Sequence, residues 1–301
     1  MQYESGFLKL VINDEAWRGM LGMETIPAIL FMLVLFLIPE SPRWQVVRNQ
    51  ERKALRTFER IYPSDKAHKE IAEIRDVIRM ETKSDWRLLF KPGFRVALIV
   101  GVCLAMLGQF MGVNAVFYYG PKFLLEAGLG KTASLDFQIW VGLFSVVSTV
   151  FAMMAIDRIG RKKLIYIGVS GMVVILAGIG MFFYRVSIGH DTSTWILFVL
   201  ILAYVVSSAI SISAVIFVLL SEMYPVKIRG SAMSIAGFSL WVGSYLIGQL
   251  TPWLVTCLSA SGVFWLFGVM CFPYLLITYF LVPETTGKSL EDIEREWTGN
   301  S

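Results

Sequence analysis

Seven stretches of 21 to 26 residues, at positions 17–38, 96–119, 134–156, 164–184, 195–220, 231–253 and 262–282, are apolar and almost free of charge. A bilayer core about 30 Å thick is crossed by about 20 residues of helix rising 1.5 Å each, so every stretch is long enough to span. In hydrocarbon each backbone N–H and C=O has to be paired within its own segment unless a closed barrel forms. The apolar–polar alternation of a barrel strand is missing. The pattern therefore predicts an all-α integral membrane protein with seven spans. Composition agrees, since 56% of the 301 residues are hydrophobic and 17% charged, against about a quarter charged in a soluble domain.

Lys and Arg fall unevenly around these spans. Segments 39–95, 157–163, 222–230 and 283–301 hold 22 of the 27, and only Lys9, Arg18, Lys122, Lys131 and Arg185 lie elsewhere. The positive-inside rule places those four segments and the C-terminus in the cytoplasm, and seven spans then leave the N-terminus outside. The expected order is an extracytoplasmic segment 1–16, a transmembrane helix 17–38, a cytoplasmic linker with short helices 39–95, a six-helix unit 96–282 and a cytoplasmic tail 283–301. Within the linker, 44–81 reads as two or three charged helices broken at Pro63. The first 16 residues lack the basic start and apolar core of a secretory signal. A chain with an outside N-terminus and no signal needs its own insertion route, so Met1 is read as an internal methionine of a longer protein.

Several function classes are excluded. The net charge of +4 sits in the loops and is a topology signal, not a nucleic-acid footprint. Cys103, Cys257 and Cys271 are scattered through apolar runs, and His68 and His190 are the only histidines. No disulfide framework, zinc site or redox pair is expected. Gly130-Lys131-Thr132 lacks the earlier glycine of a phosphate loop, because Leu125 stands there. No catalytic triad or metalloprotease string occurs. The sequence points to neither an enzyme nor a cofactor.

Span one ends in Ile38-Pro39-Glu40-Ser41 and span seven in Val282-Pro283-Glu284-Thr285, a match six spans apart that suggests two six-helix halves. Further strings lie at cytoplasmic span ends: PESPRW from Pro39, DRIGRKK from Asp157, SEMYPVKIRG from Ser221 and PETTGKSLEDIE from Pro283. GQFMGVNAVFYY from Gly108 lies inside the second span. Together these resemble the sugar porter family of the major facilitator superfamily, and Trp17-Arg18 with Glu24-Thr25-Ile26-Pro27-Ala28 resembles the bacterial xylose-proton symporter group. The resemblance implies a major facilitator fold in which the seven spans are helices six to twelve of twelve. Helices one to five are then the missing partner. It further implies transport of a monosaccharide or polyol by alternating access in the cell (inner) membrane. The carboxylate that couples protons in similar symporters belongs to the absent first helix, so proton coupling is left open. The 301 residues alone are expected not to transport. The alternative reading is a non-transporting sugar sensor or receptor, or an inactive transporter fragment.

Candidate residues follow in three groups. Gln109 and Asn114 are amides inside a span, where polar groups face a cavity or a partner helix. Both donate and accept, which suits vicinal hydroxyls. On a regular helix they point about 140° apart, and unwinding at Gly112 is what would aim them together. Helix–helix hydrogen bonding is the competing explanation. The resemblance assigns them to substrate together with Trp241, which matches a ring-stacking tryptophan, and Phe217. It makes Tyr118 and Tyr119 an outer gate, although tyrosines at this depth also form interfacial belts. At the cytoplasmic ends Asp157, Arg158, Arg161, Glu222 and Arg229 carry both signs and can pair across helices. The resemblance makes them an inner gate, with Glu40, Arg43 and Glu284 added; the residues alone equally allow interface anchors.

Three departures from the family pattern bear on substrate choice. A glutamine pair is reduced to Gly108-Gln109, Ser213-Ala214 and Phe217 stand where many members have Gly-Pro and a tryptophan, and Leu240 replaces a polar residue beside Trp241. Glucose or xylose itself is therefore doubtful. Ser207, Ser208, Ser211 and Ser213 either line a reshaped cavity or allow close helix packing, the second being favoured.

Overall fold

The structure, a computed structural model, describes residues 19, 22–81, 89–225 and 228–284, with the side chains of 43, 76–81, 92, 131, 132 and 135 outside that description. The expected extracytoplasmic segment 1–16 and the tail after 284 lie outside the described residues. All regular elements among the described residues are helical. The chain divides into two compact units, Met1–Lys83 and Ser84–Ser301.

In the first unit α1 (Thr25–Leu35) is apolar throughout and buries none of its residues. At 11 residues it is shorter than the expected span 17–38, whose first residues are not described. Glu24 precedes it, exposed; Trp17 and Arg18 lie outside the described residues. Three short helices follow. α2 (Pro42–Val47) starts with Pro at its first position and Ser41 as N-cap, the Ser41 Oγ accepting from Trp44 N at 3.1 Å. α3 (Glu51–Glu59) and α4 (Ser64–Glu81) are amphipathic. They close a small core of Val46, Ala54 and Ile71, flanked by an Arg75–Glu51 ion pair at 2.6 Å. The break between α3 and α4 falls at Pro63.

The second unit is a helical bundle. α5 (Pro92–Phe110) and α6 (Val113–Glu126) form one interrupted span, followed by α7 (Lys131–Ile159) and α8 (Arg161–Ser187). The next span is composite: α9 (Thr194–Ser208), a π-turn at Ala209–Ser213 and α10 (Val215–Met223). The last helical stretch, Arg229–Phe280, breaks at Ser259 (φ 62°, ψ 169°) into α11 (229–258) and α12 (260–280). Gln109 packs against Gly243 while adjacent Gly108 faces Tyr274. A straight helix would separate 243 from 274 by roughly 47 Å. The chain therefore reverses at Ser259, and the stretch is two spans. Five helical stretches among the described residues are long and apolar enough to cross a membrane, the last of them divided by this reversal.

The π-turn occupies the place of the missing Gly-Pro. Ala214 N reaches back five residues to Ala209 O at 3.3 Å, so the helix is distorted there without proline. Ser208 and Ser211 are buried and donate to the carbonyls of Val205 and Ser207. A Cβ on Gly168 would come within 2.3 Å of Ser211 Cβ, so α8 crosses this turn at backbone distance. At the end of the bundle opposite Arg161 the core closes in an aromatic stack, with Phe183 parallel to Phe264 at 5.6 Å and Phe123 5.0 Å from Phe264. That stack pins α6 to α8 and α12. The outward surface stays apolar, with Ile139, Phe151, Met154, Val174 and Phe238 all exposed, as lipid contact requires.

Candidate functional site

Gly112 decides the local geometry of the second span. Its φ of 90° is a conformation L side chains rarely adopt, and it ends α5 and starts α6. A Cβ there would lie 2.2 Å from Phe267 Cδ2, so the position demands glycine for space as well. The break frees carbonyls from the helical ladder, and the buried Tyr204 hydroxyl donates to one of them, Met111 O, at 2.8 Å. Across the break the amides meet. Asn114 Nδ2 donates to Gln109 Oε1 at 2.8 Å and to Ser244 Oγ at 2.7 Å. Gln109 is buried and packs on Gly243, whose missing side chain lets α11 approach α5.

Ser244 also lines a concavity of about 400 Å³ with Tyr118, Tyr119, Trp241, Tyr245, Gly248 and Gln249. Trp241 is 69% exposed and Tyr118 59%, the Tyr118 ring lying against Gly248. Tyr119 differs from its neighbour. Its hydroxyl donates to Gly248 O at 2.8 Å. Pro252, inside α11, has no N–H with which to engage that carbonyl. The two tyrosines are thus unequal: one is engaged across helices, the other presented to the concavity. Phe217, on α10, is 47% exposed and does not line this concavity.

Ser244, Tyr245, Gly248 and Gln249 are site residues that sequence reasoning missed. Their signal was present, since positions 241, 244, 245, 248 and 249 follow the i, i+3, i+4, i+7, i+8 rule of one helix face.

The ends of α7 and α10, the starts of α8 and α11 and the end of the last span carry a second cluster. Arg161 donates from Nε (3.0 Å) and Nη2 (2.6 Å) to Glu222 Oε1, pairs with Asp157 at 2.9 Å and reaches Ile156 O through Nη1 at 3.3 Å. One guanidinium therefore ties the end of α7, the start of α8 and the end of α10. It is 12% exposed against 24% for Glu222, so solvent screens the pair little. Gly160, at φ 95°, makes the tight α7–α8 turn that sets Asp157 beside Arg161. Arg229 Nε donates to Tyr224 O at 3.2 Å. Burial pushes the Tyr224 hydroxyl up, and its ring sits where a side chain on Gly101 would be. Lys162 Nζ donates to Val282 O at 2.8 Å, closing the end of the last span just before Glu284. Arg158 is exposed and makes no ion pair among the described residues. Glu40 is exposed ahead of α2, and the Arg43 side chain lies outside the described residues. The structure assembles Asp157, Arg161 and Glu222 into one ion-pair network.

A helical membrane bundle with an interrupted span at its polar site and ion pairs at one end is the architecture of a secondary carrier. The chain belongs to the Sugar (and other) transporter family, whose model matches residues 4–297. It is 36% identical over 281 residues to the arabinose-proton symporter of Bacillus subtilis, covering 93% of this chain and 60% of the relative. To the D-xylose-proton symporter of Escherichia coli K12 it is 35% identical over 293 residues, covering 95% and 58%. The solved structure of the proton:xylose symporter XylE bound to 6-bromo-6-deoxy-D-glucose superposes with a TM-score of 0.79 at 33% identity, covering 95% of this chain and 60% of that one. The inward-open conformation of the xylose transporter XylE from E. coli gives 0.70. The fold is that of the major facilitator superfamily, and the chain corresponds to the C-terminal part of these relatives, spanning about 60% of their length. The family is one of carriers, not enzymes.

Proposed function

We propose that this chain supplies the C-terminal helices of a cell-membrane carrier that moves a monosaccharide or polyol by alternating access, with its C-terminus in the cytoplasm. The carrying observation is the break at Gly112, which joins Gln109, Asn114 and Ser244 beside a concavity open at Trp241 and Tyr118. The amides offer the donors and acceptors that sugar hydroxyls need, and the indole offers a flat face for the C–H surface of the ring. Tyr118 is the mobile part of the outer gate. The Arg161, Glu222 and Asp157 network is the inner gate, and its breakage biases the carrier toward inward opening. Relatives described as proton symporters support proton coupling. The boundaries 96–282 for the six-helix half and 39–95 for the cytoplasmic linker belong to the same proposal.

The test is uptake of labelled pentoses, hexoses and polyols by cells lacking their own carriers and expressing the full reading frame. At least one sugar is expected to be taken up, with Asn114→Ala raising its KM about tenfold through the lost hydrogen bonds. A panel in which no sugar enters, or entry indifferent to Asn114→Ala and Trp241→Ala, overturns the reading.

A further inference from the structure

Pro121 lies inside α6, between the tyrosine pair and the aromatic stack at Phe123. Proline has no N–H, so the carbonyl four residues earlier, Phe117 O, loses its helical donor. That carbonyl is nevertheless engaged. Gln138, on α7, donates to it from Nε2 at 3.1 Å. The other end of the same amide, Oε1, is buried and meets no donor. Turning the amide over would set Oε1 against the Phe117 oxygen, two acceptors facing one another, so the orientation is fixed by the carbonyl. A side chain that leaves one of its own polar atoms unpaired in order to serve one carbonyl is held there by that carbonyl.

We infer that Gln138 is a positioning residue for the outer gate: through its bond to Phe117 O it holds the proline-bent helix 113–126, and with it Tyr118 and Tyr119, in register against α7. The inference rests on the gate assigned above. Three features single this contact out. Phe117 immediately precedes Tyr118, so the bond acts at the root of the exposed ring. Gly120 presents no side chain on this side, and a Cβ there would stand 3.7 Å from Gln138 Oε1, so the amide lies directly on the bent helix. Tyr119 meanwhile donates to the Pro252-freed carbonyl of Gly248. Segment 117–119 thus receives a hydrogen bond from α7 and gives one to α11. Both bonds involve carbonyls that prolines have released, and such carbonyls can be let go without unwinding a helical ladder.

The test needs no sugar, which separates its failure from failure of the transport reading. Amide hydrogen exchange is measured on the detergent-purified chain carrying Gln138→Met, which keeps size and removes the donor. Exchange over 113–126 is expected to rise about fivefold, the factor one net hydrogen bond is worth, with the other spans unchanged. Adding Pro121→Ala, which returns an N–H to Phe117 O, is expected to restore the native rate. Gln138→Glu, with a second acceptor in place of the donor, is expected to accelerate the same amides and gives an answer even if Pro121→Ala does not fold. Unchanged exchange in Gln138→Met and Gln138→Glu, a uniform rise across all spans, or a rise that survives Pro121→Ala overturns the assignment.

Discussion

At the scale of single residues, Gly112 carries more of the site than any polar group. Replacing it by alanine forces an L residue to φ 90° and drives a methyl to 2.2 Å from the Phe267 ring. Strain of about 1 kcal/mol and overpacking of about 1–3 kcal/mol add. Gly112→Ala is expected to destabilise the protein by about 2–4 kcal/mol, read as a lower Tm in detergent. Combining it with Phe267→Ala should remove the clash and leave the backbone strain. A Gly112→Ala protein as stable as the native one would mean that the break is not where the structure puts it. The glycine and both amides were legible in the sequence, because Gly-x-Asn after an intramembrane glutamine is a local signal. Their hydrogen bond was legible only as a condition on unwinding. Ser244, which completes the cluster 130 residues away in sequence, was not, because nothing local marks one serine among many as the partner of Asn114.

Elements show how a bundle in lipid tolerates irregular backbone. Three of the interruptions have a polar partner on another helix: Tyr204 for the Gly112 break, Gln138 for Pro121 and Tyr119 for Pro252. Without water to satisfy a freed carbonyl, such partners are required. Tyr119→Phe is therefore expected to cost about 1–2 kcal/mol by leaving Gly248 O unpaired. The cost should vanish in a Pro252→Ala background, where α11 regains its own hydrogen bond; thermal unfolding of the four proteins forms a double-mutant cycle. Additive losses would show that Tyr119 packs without acting through that carbonyl. The paired roles expected for Tyr118 and Tyr119 divide for the same reason, since it is the Tyr119 hydroxyl that binds a freed carbonyl of α11. The π-turn teaches a related lesson. Loss of the Gly-Pro pattern removes the sequence mark of a distortion at 209–213, yet the distortion is present, set by the crossing of Gly168 against Ser211.

For the whole molecule the testable quantity is orientation. Cys257 is exposed close to the reversal at Ser259, while Cys271 is buried in α12. With the basic segments in the cytoplasm, that reversal faces outward. A membrane-impermeant maleimide applied to intact cells is expected to label Cys257 and spare Cys271. Labelling of Cys257 only in inverted vesicles would reverse the topology, and the inner and outer gates would exchange places.

The sequence by itself determined the apolar solvent and set the expectations for spans and sides, because span length and charge placement answer to bilayer thickness and membrane asymmetry and need no tertiary contact. It also carried the motifs by which the chain resembles its family. Only the tertiary structure decided which polar groups meet: that Asn114 bridges Gln109 and Ser244, that Arg161 joins Glu222 to Asp157, and that Gln138 serves a carbonyl on another helix. The long-range members of those pairings, Asn114 with Ser244, Arg161 with Glu222 and Gln138 with Phe117, depend on crossing distances between helices, and a one-dimensional pattern does not contain them.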